Sequence, residues 1–134
     1  MSLTIGLDAM GGDAAPGIVI AGAAMALERD PDLHLLLFGD AARLEPLLAG
    51  QERLRSRSEL RHTPDSVAGD AKPSLALRQG RNSSMRLAVN AVKEGGAAAA
   101  VSAGNTGALM AMANPSKQAG WLSSVCADWI PPAC

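Results

Sequence analysis

The sequence predicts an α/β fold with helices on both faces of a mostly parallel sheet, and three observations point to it. Short apolar runs alternate with helical segments over residues 3–113, a β-loop-α order that repeats. One of those runs, Leu33 to Phe38, is continuously apolar and closed by Gly39-Asp40, the pattern of an interior parallel strand. Hydrophobic residues make up 48% of the 134 residues, yet aromatic residues reach only 2% and tyrosine is absent. Ala, Val, Leu, Ile and Met must therefore fill the core. Such small side chains let helices lie close to a sheet and argue against an aromatic-rich β-sandwich. The length suits one domain and is too short for two ordinary ones.

Taken in order, Leu3 to Leu7 reads as a short strand ending at Asp8, followed by the glycine turn Ala9-Met10-Gly11-Gly12-Asp13. From Pro16 to about Glu28 the spacing predicts a helix that is apolar nearly all round, a surface normally buried. Pro16 suits its first turn, where a missing N–H costs nothing. After the strand at 33–38, Leu44, Leu47 and Leu48 mark a short helix. Residues 51–58 are charged and read as a solvated connection, Glu59 to Thr63 as a weak third strand, and Pro64 to Pro73 as loop. Ser83 to Glu94 places Met85, Ala88, Val89 and Val92 on one helical stripe, and Gly95-Gly96 ends it as a C-cap. Ala97 to Ser102 is a strand of small residues, and Gly104-Asn105-Thr106-Gly107 turns the chain into a helix over Ala108 to Ala113.

After Ala113 the character changes. Residues 114–134 hold both tryptophans, both cysteines and Pro131-Pro132, without clear periodicity. They read either as a C-terminal extension or as a tail translated out of frame, and the clustering of rare residue types favours the second. Residues 1–113 and 114–134 are accordingly treated as separate units. Cys126 and Cys134, without a nearby His cluster, make neither a zinc site nor a disulfide framework.

The formal net charge is −1, from 12 basic and 13 acidic residues. That balance gives no long-range attraction to nucleic acid or an anionic bilayer. No apolar run approaches the roughly 20 residues of a spanning helix, and the start lacks a secretory signal. A cytoplasmic protein is expected.

Ligands of open α/β sheets sit at the carboxyl ends of the strands, and two glycine loops leave strands there. In 102–107, glycines let the backbone approach an anion, N–H groups of the new helix point at it, and Ser102, Asn105 and Thr106 add donors. Phosphate is the natural guest. Neither loop has Walker or dinucleotide-fingerprint spacing, so each is equally a ligand loop or a plain tight turn. Asp8 is a candidate catalytic carboxylate, although capping its own loop is the stronger reading. Lys72, Arg78, Arg81 and Arg86, with Ser74, Ser83 and Ser84, can hold phosphate or an acidic carrier protein, or simply form a solvated face. His34 and His62 have no triad partner at recognisable spacing and read as structural.

These loops resemble a known family, the acyl-carrier-protein:phosphate acyltransferases of bacterial phospholipid synthesis. The matching motifs are Asp8 to Asp13, Lys72-Pro73-Ser74 with Arg78, Ser83-Ser84-Met85, Val92 to Gly95, and Val101 to Met110, in the right order over residues 3–113. The resemblance implies a Rossmann-like three-layer α/β/α fold, similar to the isopropylmalate dehydrogenase and phosphotransacetylase folds, with this chain covering only its N-terminal portion. It implies that orthophosphate attacks the thioester of a long-chain acyl group on acyl carrier protein, giving acyl phosphate for phospholipid synthesis. Neither metal nor organic cofactor is expected, and family members are homodimers of the cytoplasm able to attach peripherally to the membrane. A thioester is already activated, so positioning phosphate and stabilising the oxyanion are the main tasks. Gly11, Gly12, Ser102, Gly104, Asn105, Thr106 and Gly107 are the candidate phosphate-binding residues, and Asp8, Lys72 and Arg78 the candidate catalytic ones. Two other readings stay open: a phosphotransacetylase-type enzyme, and a non-catalytic fragment with an open sheet edge and an uncovered apolar face.

Overall fold

In the computed structural model of the protein, which describes residues 3–113, ten elements follow in order. They are β1 (Thr4–Asp8), α1 (Gly17–Arg29), β2 (His34–Gly39), α2 (Ala41–Ala49), α3 (Glu52–Ser56), β3 (Ser58–His62), α4 (Pro73–Gln79), α5 (Ser84–Lys93), β4 (Ala99–Val101) and α6 (Thr106–Met112). The strands form one sheet in the order β3-β2-β1-β4, every neighbouring pair parallel. The expected α/β class is thus observed. The proposed unit 114–134 lies outside the described residues.

β2 is interior, paired with β1 from His34↔Thr4 to Phe38↔Asp8 and with β3 on its other side. Its continuous apolar run follows from having both faces covered. Leu35 and Leu37 meet Ile20, Ala23, Leu27, Leu44 and Leu54 in the core shared with α1, α2 and α3. Leu36 and Phe38 meet Ala88, Ala91 and Ala97 on the opposite face, beneath α5. Helices on both faces complete three layers. α5 forms as its stripe predicts: Ser83 caps it by accepting from the Arg86 N–H at 3.2 Å, and Gly95 follows it at φ +81°. His62 has the structural role expected of it, its Nδ1 accepting from the Ala41 N–H at 3.1 Å, where α2 starts.

Three local expectations need correction. Residues 52–56 form the short helix α3 rather than a connection, because Leu54 is fully buried against the α1 core while its charged neighbours stay in water. Helix α4 was not expected at all. Leu75 and Leu77 are exposed and only Ala76 faces the core, so no apolar stripe announces it. Helix α1 starts at Gly17 with Pro16 as its N-cap, and its wide apolar surface is only partly buried. Ile20, Ala23 and Leu27 face the core, whereas Ile18 and Met25 are 60% and 58% exposed. With Val101, 50% exposed, Ile18 flanks a trough of about 350 Å³ between α1 and β4. Among the described residues no helix is long and apolar enough to cross a membrane.

Candidate functional site

The chain direction across the sheet reverses between β1 and β4. From β1 it steps to β2 and β3, then crosses back to lay β4 on the other side of β1. At such a reversal the loops leaving the two strands part toward opposite faces and open a crevice at the carboxyl ends, where ligands bind. The loops here are those following Asp8 and Val101, the two glycine loops of the sequence.

Asp8, at the end of β1, is buried at 2% exposure. Its Oδ1 accepts from Ser84 Oγ at 2.5 Å and from the Met10 N–H at 3.2 Å, and its Oδ2 accepts from Ser102 Oγ at 2.7 Å. Ser102 Oγ in turn accepts from the Gly104 N–H at 3.1 Å. A carboxylate removed from water needs such donors, and here they come from its own loop, from the first turn of α5 and from the β4 loop. Asp8 does cap its own loop. It also reaches hydroxyls 76 and 94 residues away, which no local reading of the turn could foresee.

Above this carboxylate the two loops touch through their glycines. A Cβ on Gly11 would lie 2.7 Å from Asp8 Oδ2, 2.8 Å from Ser102 Oγ and 3.0 Å from Gly104 N. A Cβ on Gly104 would meet Met85 Cε at 3.2 Å and Gly11 Cα at 3.3 Å. Gly12 has φ +102°, a conformation that side chains resist. Glycine at 11 and 104 thus follows from the close approach of the two loops, Gly104 against the Gly11 backbone and Gly11 against Asp8 Oδ2 and Ser102 Oγ. The contact floors a cavity of about 250 Å³ lined by Met10, Gly12, Asp13, Gly69, Gly104 and Asn105, among others. A larger depression, about 630 Å³, lies between α2 and β3, on the sheet edge away from both glycine loops.

The candidates of the second loop divide. Gly104 and Asn105 line the cavity, whereas Thr106 and Gly107 are exposed on the first turn of α6 and are not among its lining residues. Asn105 caps α6, its Oδ1 accepting from the Ala108 N–H at 2.9 Å. Its amide nitrogen, expected to face phosphate, donates instead to the carbonyls of Ala71 at 2.7 Å, Gly69 at 3.2 Å and Ala68 at 3.3 Å. Lys72 is exposed at the head of α4, next to that anchored carbonyl, and Pro73 lies 3.0 Å from where a Gly107 Cβ would be. Arg78 is exposed on α4 and does not line the cavity. Asp13 does line it and was missed. The signal was a charge directly following two glycines, passed over as a turn residue.

Set against known proteins, residues 3–119 match the family model described as fatty acid synthesis protein. The chain is 64% identical over 109 residues to the phosphate acyltransferase of Rhodospirillum centenum, covering 81% of this chain and 31% of that protein. It is 57% identical over 112 residues to the phosphate acyltransferase of Rhodospirillum rubrum, covering 84% of this chain and 32% of the other. To that of Paramagnetospirillum magneticum it is 59% identical over 111 residues, covering 83% and 32%. The chain therefore spans about a third of the length of these relatives.

Proposed function

The chain belongs to the fatty acid synthesis protein family, and from that premise we propose that it carries the phosphate-binding part of a phosphate acyltransferase. In this reading orthophosphate sits in the cavity between the two glycine loops. A phosphate oxygen attacks the thioester carbonyl of an acyl group on acyl carrier protein, the C–S bond breaks, and the products are acyl phosphate and the free carrier thiol.

The single observation that carries the reading is the cavity itself. It lies at the switch point of the sheet, and its floor is two backbones pressed together where side chains are excluded. Such a surface lets an anion approach the backbone closely, without side-chain bulk from the glycines. Asp13 is an unfavourable charge for a fully ionised guest, but orthophosphate keeps an O–H at neutral pH. We assign Asp13 to accept from that hydroxyl, which orients the remaining oxygens toward the glycine floor. Asp8 supports the floor from below through Ser102 and touches no substrate. Lys72, exposed at the head of α4, supplies positive charge.

The test places residues 3–113 in the Rhodospirillum centenum relative, in place of its matching portion, and replaces Gly104 by Val. The new side chain meets Met85 and the Gly11 backbone and fills the approach to the anion. The valine keeps its backbone N–H, but its bulk obstructs the anion, so kcat/KM for phosphate should fall roughly ten- to hundredfold, about 1.4–2.7 kcal/mol. KM for acyl carrier protein should be spared. Unchanged phosphate kinetics in a folded variant would show that the loop is only a turn. Equal turnover of short acyl-CoA and acyl carrier protein would favour a phosphotransacetylase-type enzyme.

A further inference from the structure

We propose that Asn105 is a positioning residue, whose side chain latches residues 66–71 in place as one wall of the anion cavity. The segment leaves the end of β3 and is held firmly at both ends. The Ser84 N–H donates to the Asp65 carbonyl at 2.9 Å, and the Ala76 N–H donates to the Lys72 carbonyl at 2.9 Å as α4 begins. Between those anchors the backbone makes one turn of its own, from the Ala71 N–H to the Ala68 carbonyl. Among the described residues, the only hydrogen bonds that reach 66–71 from outside that segment come from Asn105.

The orientation of the amide is fixed by its surroundings. Turning it over would set its oxygen against three carbonyls and its nitrogen against the Ala108 N–H, so the donor must face the segment. An amide has two N–H bonds for three acceptors; the Ala71 carbonyl at 2.7 Å takes one and the two longer contacts share the other. One residue thus caps α6 with its oxygen and holds the opposite wall with its nitrogen. Val67 and Gly69 of that wall line the cavity together with Gly12, Asp13 and Gly104. The latch also fixes the backbone just before Lys72 and Pro73, and Pro73 packs against Gly107 in the first turn of α6.

The proposal rests on the phosphate reading of the cavity, and the variants separate the two. Asn105→Ser keeps a neutral cap for the Ala108 N–H and removes the amide donors, whereas Asn105→Ala removes both. The full chain is examined for hydrogen exchange at the Ala71 amide, whose N–H donates to the Ala68 carbonyl, for thermal midpoint, and for affinity for inorganic phosphate by titration. The latch predicts that Asn105→Ser loses protection at that amide and binds phosphate about tenfold more weakly, with its midpoint close to that of the unmodified chain. Asn105→Ala should lower the midpoint as well. Unchanged protection in Asn105→Ser overturns the latch whatever phosphate does. Lost protection with unchanged phosphate affinity overturns the positioning role and leaves a structural tie. If the unmodified chain binds no phosphate, the functional reading fails and the positioning role with it, while the exchange data still report on the tie.

Discussion

Removing the carboxylate of Asp8 should collapse the connection between β1, α5 and the β4 loop. Asp8→Ala deletes the acceptor of two hydroxyls and one backbone N–H. Hydrogen bonds to a charged group contribute about 1.5–3 kcal/mol each, so the two hydroxyl bonds alone sum to roughly 3–6 kcal/mol if they add. The serine hydroxyls can rotate to other acceptors, which brings the expected loss to about 3 kcal/mol. Asp8→Asn should cost less, about 1–2 kcal/mol. It keeps an oxygen for Ser84 and Met10 but turns an NH2 group to Ser102, whose oxygen already accepts from Gly104. Urea unfolding followed by far-ultraviolet circular dichroism reads both. With a slope of about 1–3 kcal/mol per molar, the alanine midpoint should drop by about 1 M or more. A double-mutant cycle with Ser102→Ala should return a coupling of about 0.5–3 kcal/mol. An Asp8→Ala midpoint matching the unmodified chain, or zero coupling to Ser102, would refute the reasoning.

Two other changes test neighbouring claims. Gly11→Ala drives a methyl into Asp8 Oδ2 and Ser102 Oγ, both held by the same network. It should cost about 1–3 kcal/mol and shift the Gly104 amide resonance; a folded variant with an unmoved Gly104 signal counts against the glycine contact. The exposed apolar side chains of α1 are expected to drive self-association, so Ile18→Glu in the trough and Met25→Lys beside it should reduce it in sedimentation velocity while changing stability by no more than about 0.5 kcal/mol. Association that persists in both would exonerate the trough.

Period and punctuation made much of the architecture legible. The run at 33–38 has the pattern of an interior parallel strand, Met85, Ala88 and Val89 that of one helical stripe, and both are buried as that reading expects. Helix α4 was illegible because a seven-residue helix buries a single alanine, leaving no stripe to find. At the site, local chemistry was visible and long-range chemistry was not. Gly11, Gly12 and Gly104 could be singled out by type, but their mutual contact depends on how the crossover returns β4 to β1. Asn105 illustrates the same limit from the other side. Its amide suits phosphate by chemistry, yet three carbonyls from a loop more than thirty residues earlier claim it.

The carboxylate at the end of β1 also has a place in time. As the chain is made, β1, β2 and β3 come first and can pair as neighbours, while Ser84 and Ser102 arrive much later. Closing so long a loop adds little entropy cost, about 0.6 kcal/mol per doubling of its length, but non-local pairings of this kind slow folding. Until the crossover is made, Asp8 faces water at the rim of a half-built sheet and the glycine floor does not exist. A ligand that binds only the finished floor leaves the early steps of folding alone. It acts by mass action on chains that have completed the crossover, drawing the equilibrium toward them.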